Sequence, residues 1–124
     1  MGAPIEVPVL IVGGGPVGTT ASILLAQQGV ASLVVERRTS VQPAPAAHVV
    51  NARTFEILRA AGVDMAAIAA ACKQPSDAGR VRWVMTLTGE ELGSLPFERQ
   101  DDDVLAFTPT PLRNLSQHRL EPIL

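Results

Sequence analysis

The sequence predicts an α/β fold that opens on a strand–helix–strand unit, and three observations carry that prediction. Val7–Val12 is a continuous apolar run rich in β-branched residues, the pattern of a strand buried on both faces within a parallel sheet. It breaks at once into Gly13-Gly14-Gly15-Pro16-Val17-Gly18. A helical segment and a second apolar run, Ser32–Glu36, follow within a few residues.

Each piece of this unit has a physical reason. Pro8 cannot donate to a ladder, so the paired part of the first strand starts at Val9. Gly13, Gly15 and Gly18 form G-x-G-x-x-G. The first makes a tight turn, the second admits a pyrophosphate without a Cβ in the way, and the third lets the next helix pack closely. Pro16 suits a first helical turn, where its fixed φ and missing N–H cost nothing. The free N–H groups and dipole at such a helix start favour phosphate. The helix itself is expected over Val17–Gln28, with Val17, Ala21, Leu24, Leu25 and Gln28 on one side and Gly29 as its stop. Glu36 closes the second strand about 20 residues past the glycines, where an acid accepts hydrogen bonds from a ribose diol. Together these features point to a bound dinucleotide.

The remainder is read as follows. Arg37–Ala47, with Pro43 and Pro45, is irregular, and loops of such length are often functional. Asn51 caps a helix through Ala60 with Phe55 and Leu58 inward and Gly62 as its stop, and Asp64 caps a short helix, Met65–Ala71. Val81, Trp83, Met85 and Leu87 alternate with Arg82, Val84 and Thr86, the pattern of a half-buried strand. Thr88-Gly89-Glu90 is read as a turn and Glu91–Leu95 as the returning partner. Trp83 is assigned to the core rather than to a stacking platform. Asp101-Asp102-Asp103 is read as a solvated loop and not a metal site, because no His or Glu stands near at ligand spacing. His48 and His118 have no evident nucleophile or metal partner and are taken as structural. Asn114–Leu124 is expected to begin a helix, capped by Asn114 or Ser116, with Leu120, Ile123 and Leu124 on one side and Pro122 able to kink it.

Composition bounds the rest. The 124 residues are 47% hydrophobic and 18% charged with a formal net charge of −2, which fits one globular domain at most and gives no signal for nucleic acid. The single cysteine, Cys72, allows no internal disulfide and suits a reducing compartment. Met1–Pro8 lacks a basic leader region, and Val9–Val12 is too short to span a membrane. A cytoplasmic chain is therefore expected, with no membrane partner.

Four stretches in order make the chain resemble the N-terminal part of the FAD-dependent aromatic-ring hydroxylases, the flavoprotein monooxygenases that include p-hydroxybenzoate, phenol and polyketide hydroxylases. They are Val9–Gly18, Val35-Glu36-Arg37, Asn51-Ala52-Arg53-Thr54-Phe55-Glu56-Ile57-Leu58 and Ser116-Gln117-His118-Arg119-Leu120-Glu121. The last two are more family-specific than the glycines. The resemblance implies a Rossmann-like FAD-binding βαβ fold of the glutathione-reductase type, incomplete, with a small antiparallel hairpin. It implies FAD as cofactor, NAD(P)H as co-substrate, and hydroxylation of a small aromatic or polyketide substrate with O₂.

Residue by residue, the resemblance implies that Gly13, Gly14, Gly15, Pro16, Val17 and Gly18 face the FAD pyrophosphate. Glu36 would hold the adenosine ribose, with Arg37 near the adenine end. Gln117 would reach the flavin side near the ribityl chain, and Arg53 would be an anion or flavin partner. No catalytic side chain is assigned, since the chemistry is the cofactor's. Two departures stand out. The family often has an FAD-contacting arginine where this chain has Ala46, so Arg53 or Arg37 compensates or the grip differs. The later Asp-Gly and Gly-Asp motifs of these enzymes are absent. The chain is thus expected to be an N-terminal fragment of an FAD-binding domain over residues 1–124, with a hairpin at 80–96 belonging to the substrate-domain sheet. The competing readings are another FAD or NAD oxidoreductase on the same fold, or a truncated, inactive fragment.

Overall fold

The computed structural model describes residues 4–41, 43–97 and 102–124. In chain order the elements are β1 (Val9–Val12), α1 (Pro16–Gln27), β2 (Ser32–Val35), β3 (Val49–Val50), α2 (Ala52–Ala60), α3 (Met65–Ala71), α4 (Pro75–Ala78), β4 (Arg80–Val84) and β5 (Glu91–Pro96). A 3₁₀ turn over Asp102–Ala106, β6 (Arg113–Asn114), α5 (Gln117–Leu120) and a 3₁₀ turn over Glu121–Ile123 complete the described chain.

The opening unit forms as expected. β1 pairs in parallel with β2 from Val9↔Ser32 to Val12↔Val35, and a parallel pair needs a crossover such as α1 to return the chain to the same end. Gly29 adopts φ +72°, and the Val30 N–H reaches back to the Leu25 carbonyl at 2.9 Å, which closes the helix. The Ser22 and Ser32 hydroxyls, 2.9 Å apart, link α1 to β2. One expectation fails. The first strand is not buried on both faces, since Leu10 and Val12 are 58% and 81% exposed. Among the described residues this sheet holds two strands, and one helix covers only one side of it.

The buried core lies further along the chain. Phe55, Leu58, Ile68, Leu115 and Leu120 form one cluster, with Val50, Val63 and Met65 packed on its margin. The foreseen caps hold α2 and α3 in place. Asn51 accepts from the Thr54 N–H at 2.8 Å, and Asp64 accepts from the N–H groups of Ala66 and Ala67. Gly62 takes φ +77° at the end of α2. β3 pairs antiparallel with β6, Val49↔Asn114 and Val50↔Arg113. Asn114 is therefore a strand residue and not a helix cap; Ser116 occupies the N-cap position of α5 without a side-chain bond to it. The helix gives way to a 3₁₀ turn at Glu121-Pro122, because proline cannot supply the next ladder N–H.

The hairpin forms with three corrections. β4 ends at Val84, short of Met85 and Leu87, and a register shift lies between Trp83 and Val84. The turn spans Thr86–Gly89 rather than Thr88–Glu90, with the Gly89 N–H on the Thr86 carbonyl at 3.1 Å. The apolar face is open rather than half-buried: Val81, Met85 and Leu87 are exposed, and Trp83 is 50% exposed, outside the core. Alternation gives strand periodicity correctly, but it cannot supply the layer that would cover the face. Asp102 and Asp103 fall in the 3₁₀ turn rather than in an irregular loop, and Asp101 lies outside the described residues. Among the described residues, no helix is long and apolar enough to cross a membrane.

Two stability measurements check this packing. Leu58→Ala opens the middle of the core and is expected to cost about 2–5 kcal/mol in urea unfolding. Asp64→Ala removes a cap that serves two N–H groups and is expected to cost about 1 kcal/mol. A Leu58→Ala loss no larger than the Asp64→Ala loss would contradict the core assignment.

Candidate functional site

The glycine turn is built from three different constraints. Gly13 has φ +111°, a backbone region that side chains rarely tolerate, and its N–H donates to the Val35 carbonyl at 2.8 Å. Gly18 is required by packing. A Cβ there would collide with the Gly13 carbonyl oxygen and stand 3.1 Å from Cγ2 of Ile11, so α1 could not lie this close to β1. Gly15 is different. Its backbone is ordinary, φ −76° and ψ −175°, and the nearest atom to an added Cβ is Oε1 of Glu121 at 3.9 Å. No atom of the described chain demands a glycine at position 15. Pro16 begins α1, and the first bond of the helical ladder runs from the Thr19 N–H to the Gly15 carbonyl at 3.0 Å. The amides of Val17 and Gly18 therefore stand ahead of the ladder at the mouth of the turn. The Thr19 hydroxyl donates to the Gly14 carbonyl at 3.1 Å and steadies the turn from behind.

Glu36 follows β2 and reaches across to this turn. Its Oε2 accepts from the Gly14 N–H at 2.8 Å, and its Oε1 accepts from the Arg38 N–H, also at 2.8 Å. The Arg38 guanidinium stands 3.6 Å from Oε1. The Arg38 N–H, then the Gly14 N–H, hold the carboxyl below the usual carboxylate range. Glu36 is thus ionised at neutral pH, and Oε2, which accepts from Gly14, retains a lone pair for a further donor. The carboxylate lies at the edge of an open cleft of about 320 Å³ bounded by Gly14, Arg38, Ser40 and Glu121.

α5 brings a second arm to the same cleft. The Gln117 N–H donates to the Ala47 carbonyl at 2.8 Å, and the Gln117 side-chain amide donates to Oε1 of Glu121 at 2.7 Å. Leu120, 5% exposed, anchors α5 in the core. The structure therefore gathers Gly13–Gly18, Glu36 and the Gln117–Glu121 pair. It does not gather Arg53, whose guanidinium projects from α2 and pairs with Glu56 at 3.2 Å. Arg37 is exposed beside Glu36.

Three residues escaped the sequence reading. Glu121 was part of a recognised stretch, but its i,i+4 spacing from Gln117 was the only sign of the pairing. Thr19 had no sign at all. Thr108 is buried and donates to Oε1 of Glu56 at 2.7 Å, which is the main reason the Glu56 carboxyl is held low, with Arg53 second. Of the two histidines, His48 lends its carbonyl to the Leu115 N–H, and His118 has its Nδ1 buried without a hydrogen-bond partner among the described residues.

Comparison with known proteins gives this geometry its context. The family model described as FAD binding domain matches residues 6–124. The 2,4-dichlorophenol 6-monooxygenase of Cupriavidus pinatubonensis is 38% identical over 100% of this chain and 21% of its own length. Aklavinone 12-hydroxylase RdmE of Streptomyces purpurascens is 42% identical over 96% of this chain and 23% of its own. Among solved structures, the flavin-dependent monooxygenase PieE in complex with FAD and substrate superposes with a TM-score of 0.83 at 36% identity, covering 98% of this chain and 22% of that one. Aklavinone-11 hydroxylase in a ternary complex with FAD and aklavinone superposes with a TM-score of 0.78 at 37% identity, covering 98% and 23%. The chain spans between a fifth and a quarter of the length of these relatives. With a family model matching nearly its whole length and relatives of this kind, the chain belongs to the FAD-binding domain family, as it occurs in FAD-dependent aromatic-ring hydroxylases.

Proposed function

We propose that this chain is the FAD-binding segment of a flavin-dependent monooxygenase that hydroxylates a small aromatic or polyketide substrate with NAD(P)H and O₂. The observation that carries the reading is the Glu36 carboxylate, bonded to the Gly14 N–H across the glycine turn. An anion-favouring helix start and a ribose-accepting carboxylate are joined through the Gly14 N–H, and together they are the donor and acceptor set that the ADP half of FAD needs. The unexplained glycine at position 15 supports the same fit, because it leaves the backbone open where a phosphate would approach.

On this reading the fold is Rossmann-like, of the glutathione-reductase type. Gly13–Gly18, with Pro16 and Val17 at the start of α1, bind the pyrophosphate. Glu36 holds the adenosine ribose, and Arg37 lies toward the adenine. Gln117 addresses the flavin half. The bound cofactor supplies the redox chemistry, hydride uptake from NAD(P)H and activation of dioxygen; this chain's residues hold and orient it. Arg53 is tied to Glu56 on α2 and makes the weakest case as a cofactor ligand. The hairpin at 80–96 belongs to the sheet that borders the substrate, a reading supported by its exposed Trp83, Leu92 and Leu95.

Three measurements follow from these roles. Glu36→Ala is expected to weaken FAD by about tenfold or more through the loss of charge-assisted bonds, whereas Asp103→Ala should leave it unchanged; equal affinities in fluorescence titration would count against the ribose placement. Gly15→Ala should fold normally yet lose FAD, whereas Gly18→Ala should be destabilised even without cofactor. A pair of thermal melts and FAD titrations separates the two, and a Gly15→Ala protein with native affinity would remove the pyrophosphate role. The third concerns acid. Because Glu36 titrates lower folded than unfolded, its bonds stabilise the fold fully above the unfolded value of about 4.3 and are lost as pH falls through its lower folded pKa. Glu36→Gln should flatten that part of the acid-unfolding curve followed by circular dichroism, and an unchanged curve would oppose it.

A further inference from the structure

We infer that Glu121 is a positioning residue for the cofactor: from the edge of the cleft, its carboxylate fixes which end of the neighbouring Gln117 amide is left to meet a ligand. The inference rests on the FAD reading above. An ionised carboxylate can only accept hydrogen bonds, and the Gln117 amide nitrogen donates to Oε1 of Glu121 at 2.7 Å. That bond turns the amide NH₂ toward Glu121 and leaves the Gln117 carbonyl oxygen at the other end of the side chain. Gln117 is thereby set as an acceptor, suited to a hydroxyl donor such as those of a ribityl chain, and not as a donor to phosphate.

The backbone holds both partners in this arrangement. The residues are four apart across the end of α5, and the Glu121 N–H bonds the Gln117 carbonyl. Pro122 follows directly and fixes the turn. The Gln117 N–H is held by Ala47, and Leu120 is buried between them in sequence. Glu121 also faces the glycine turn. Its Oε1 is the nearest atom to a Cβ built on Gly15, and it lines the same cleft as Gly14 and Glu36. A second carboxylate beside a phosphate-binding turn is unfavourable by charge alone. The bond to the Gln117 amide is one interaction that holds it there.

The two effects have opposite signs, which makes the role testable. FAD affinity is measured by flavin fluorescence in the wild type, Glu121→Ala, Glu121→Gln, Glu121→Asp, Gln117→Ala and the Gln117→Ala/Glu121→Ala double variant. Glu121→Ala should weaken FAD by about tenfold, the effect of one charge-assisted bond. Glu121→Gln keeps an acceptor and loses the charge, so it should bind as well as the wild type or better. Glu121→Asp keeps the charge but withdraws the acceptor, and should bind like the alanine variant with its far-UV spectrum unchanged. In the Gln117→Ala background, Glu121→Ala should cost nothing more. A wild type that binds FAD while Glu121→Ala and Glu121→Asp bind it equally well overturns the inference alone, as do additive losses in the double variant. A wild type that binds no FAD overturns the functional reading along with it.

Discussion

One hydrogen bond, from the Gly14 N–H to the Glu36 carboxylate, joins the start of α1 to the end of β2. It can form only because two other constraints are met. The parallel register of β1 and β2 brings Val35 alongside Val12 and delivers Glu36 to the level of the glycines. Gly18, lacking a Cβ, lets α1 sit against the Gly13 carbonyl. Move either and the carboxylate no longer spans the turn. The chemistry of the site therefore depends on backbone proximity, and its charged residue is preorganised first by main-chain donors, with the Arg38 guanidinium adding to them. For Glu36 those donors are also the principal cause of its lowered pKa.

The core is not underneath this turn. α1 has no buried residue, whereas Phe55, Leu58 and Leu115 are each 1% exposed. Between the two regions runs an apolar groove of about 360 Å³, with Val17 and Leu24 of α1 on one side and Ile57, Leu58 and Leu120 on the other. α5 bridges them. Leu120 points its side chain into the core, and the next residue, Glu121, reaches the glycine turn. The well-packed half thus sets the position of an arm that serves the loosely packed half. This is a familiar division of labour, in which a rigid scaffold carries binding residues on short connecting segments.

Local chemistry made much of this legible in the sequence. A glycine with positive φ, a proline at the first helical position, and Asn51 and Asp64 as caps each act within a few residues of themselves, so their signals survive without knowledge of the fold. Glu36 was legible because its distance from the glycines is set by one helix and one strand. What escaped depends on partners far along the chain. The pairing of Val49-Val50 with Arg113-Asn114 is too short to show periodicity, and the Thr108–Glu56 bond joins residues that nothing in the sequence links. Trp83 shows the converse error: the alternating pattern marked a strand correctly, but the burial inferred from it depends on a covering layer that the described residues do not contain.

The central claim is that these residues grip the ADP half of FAD through the glycine turn and Glu36. Competition against bound FAD tests it most directly, with ADP in one titration and FMN in the other. ADP carries the ribose and both phosphates of that half, so it should displace FAD at far lower concentration than FMN. Displacement by FMN as readily as by ADP, or FAD binding indifferent to ADP, would contradict the account.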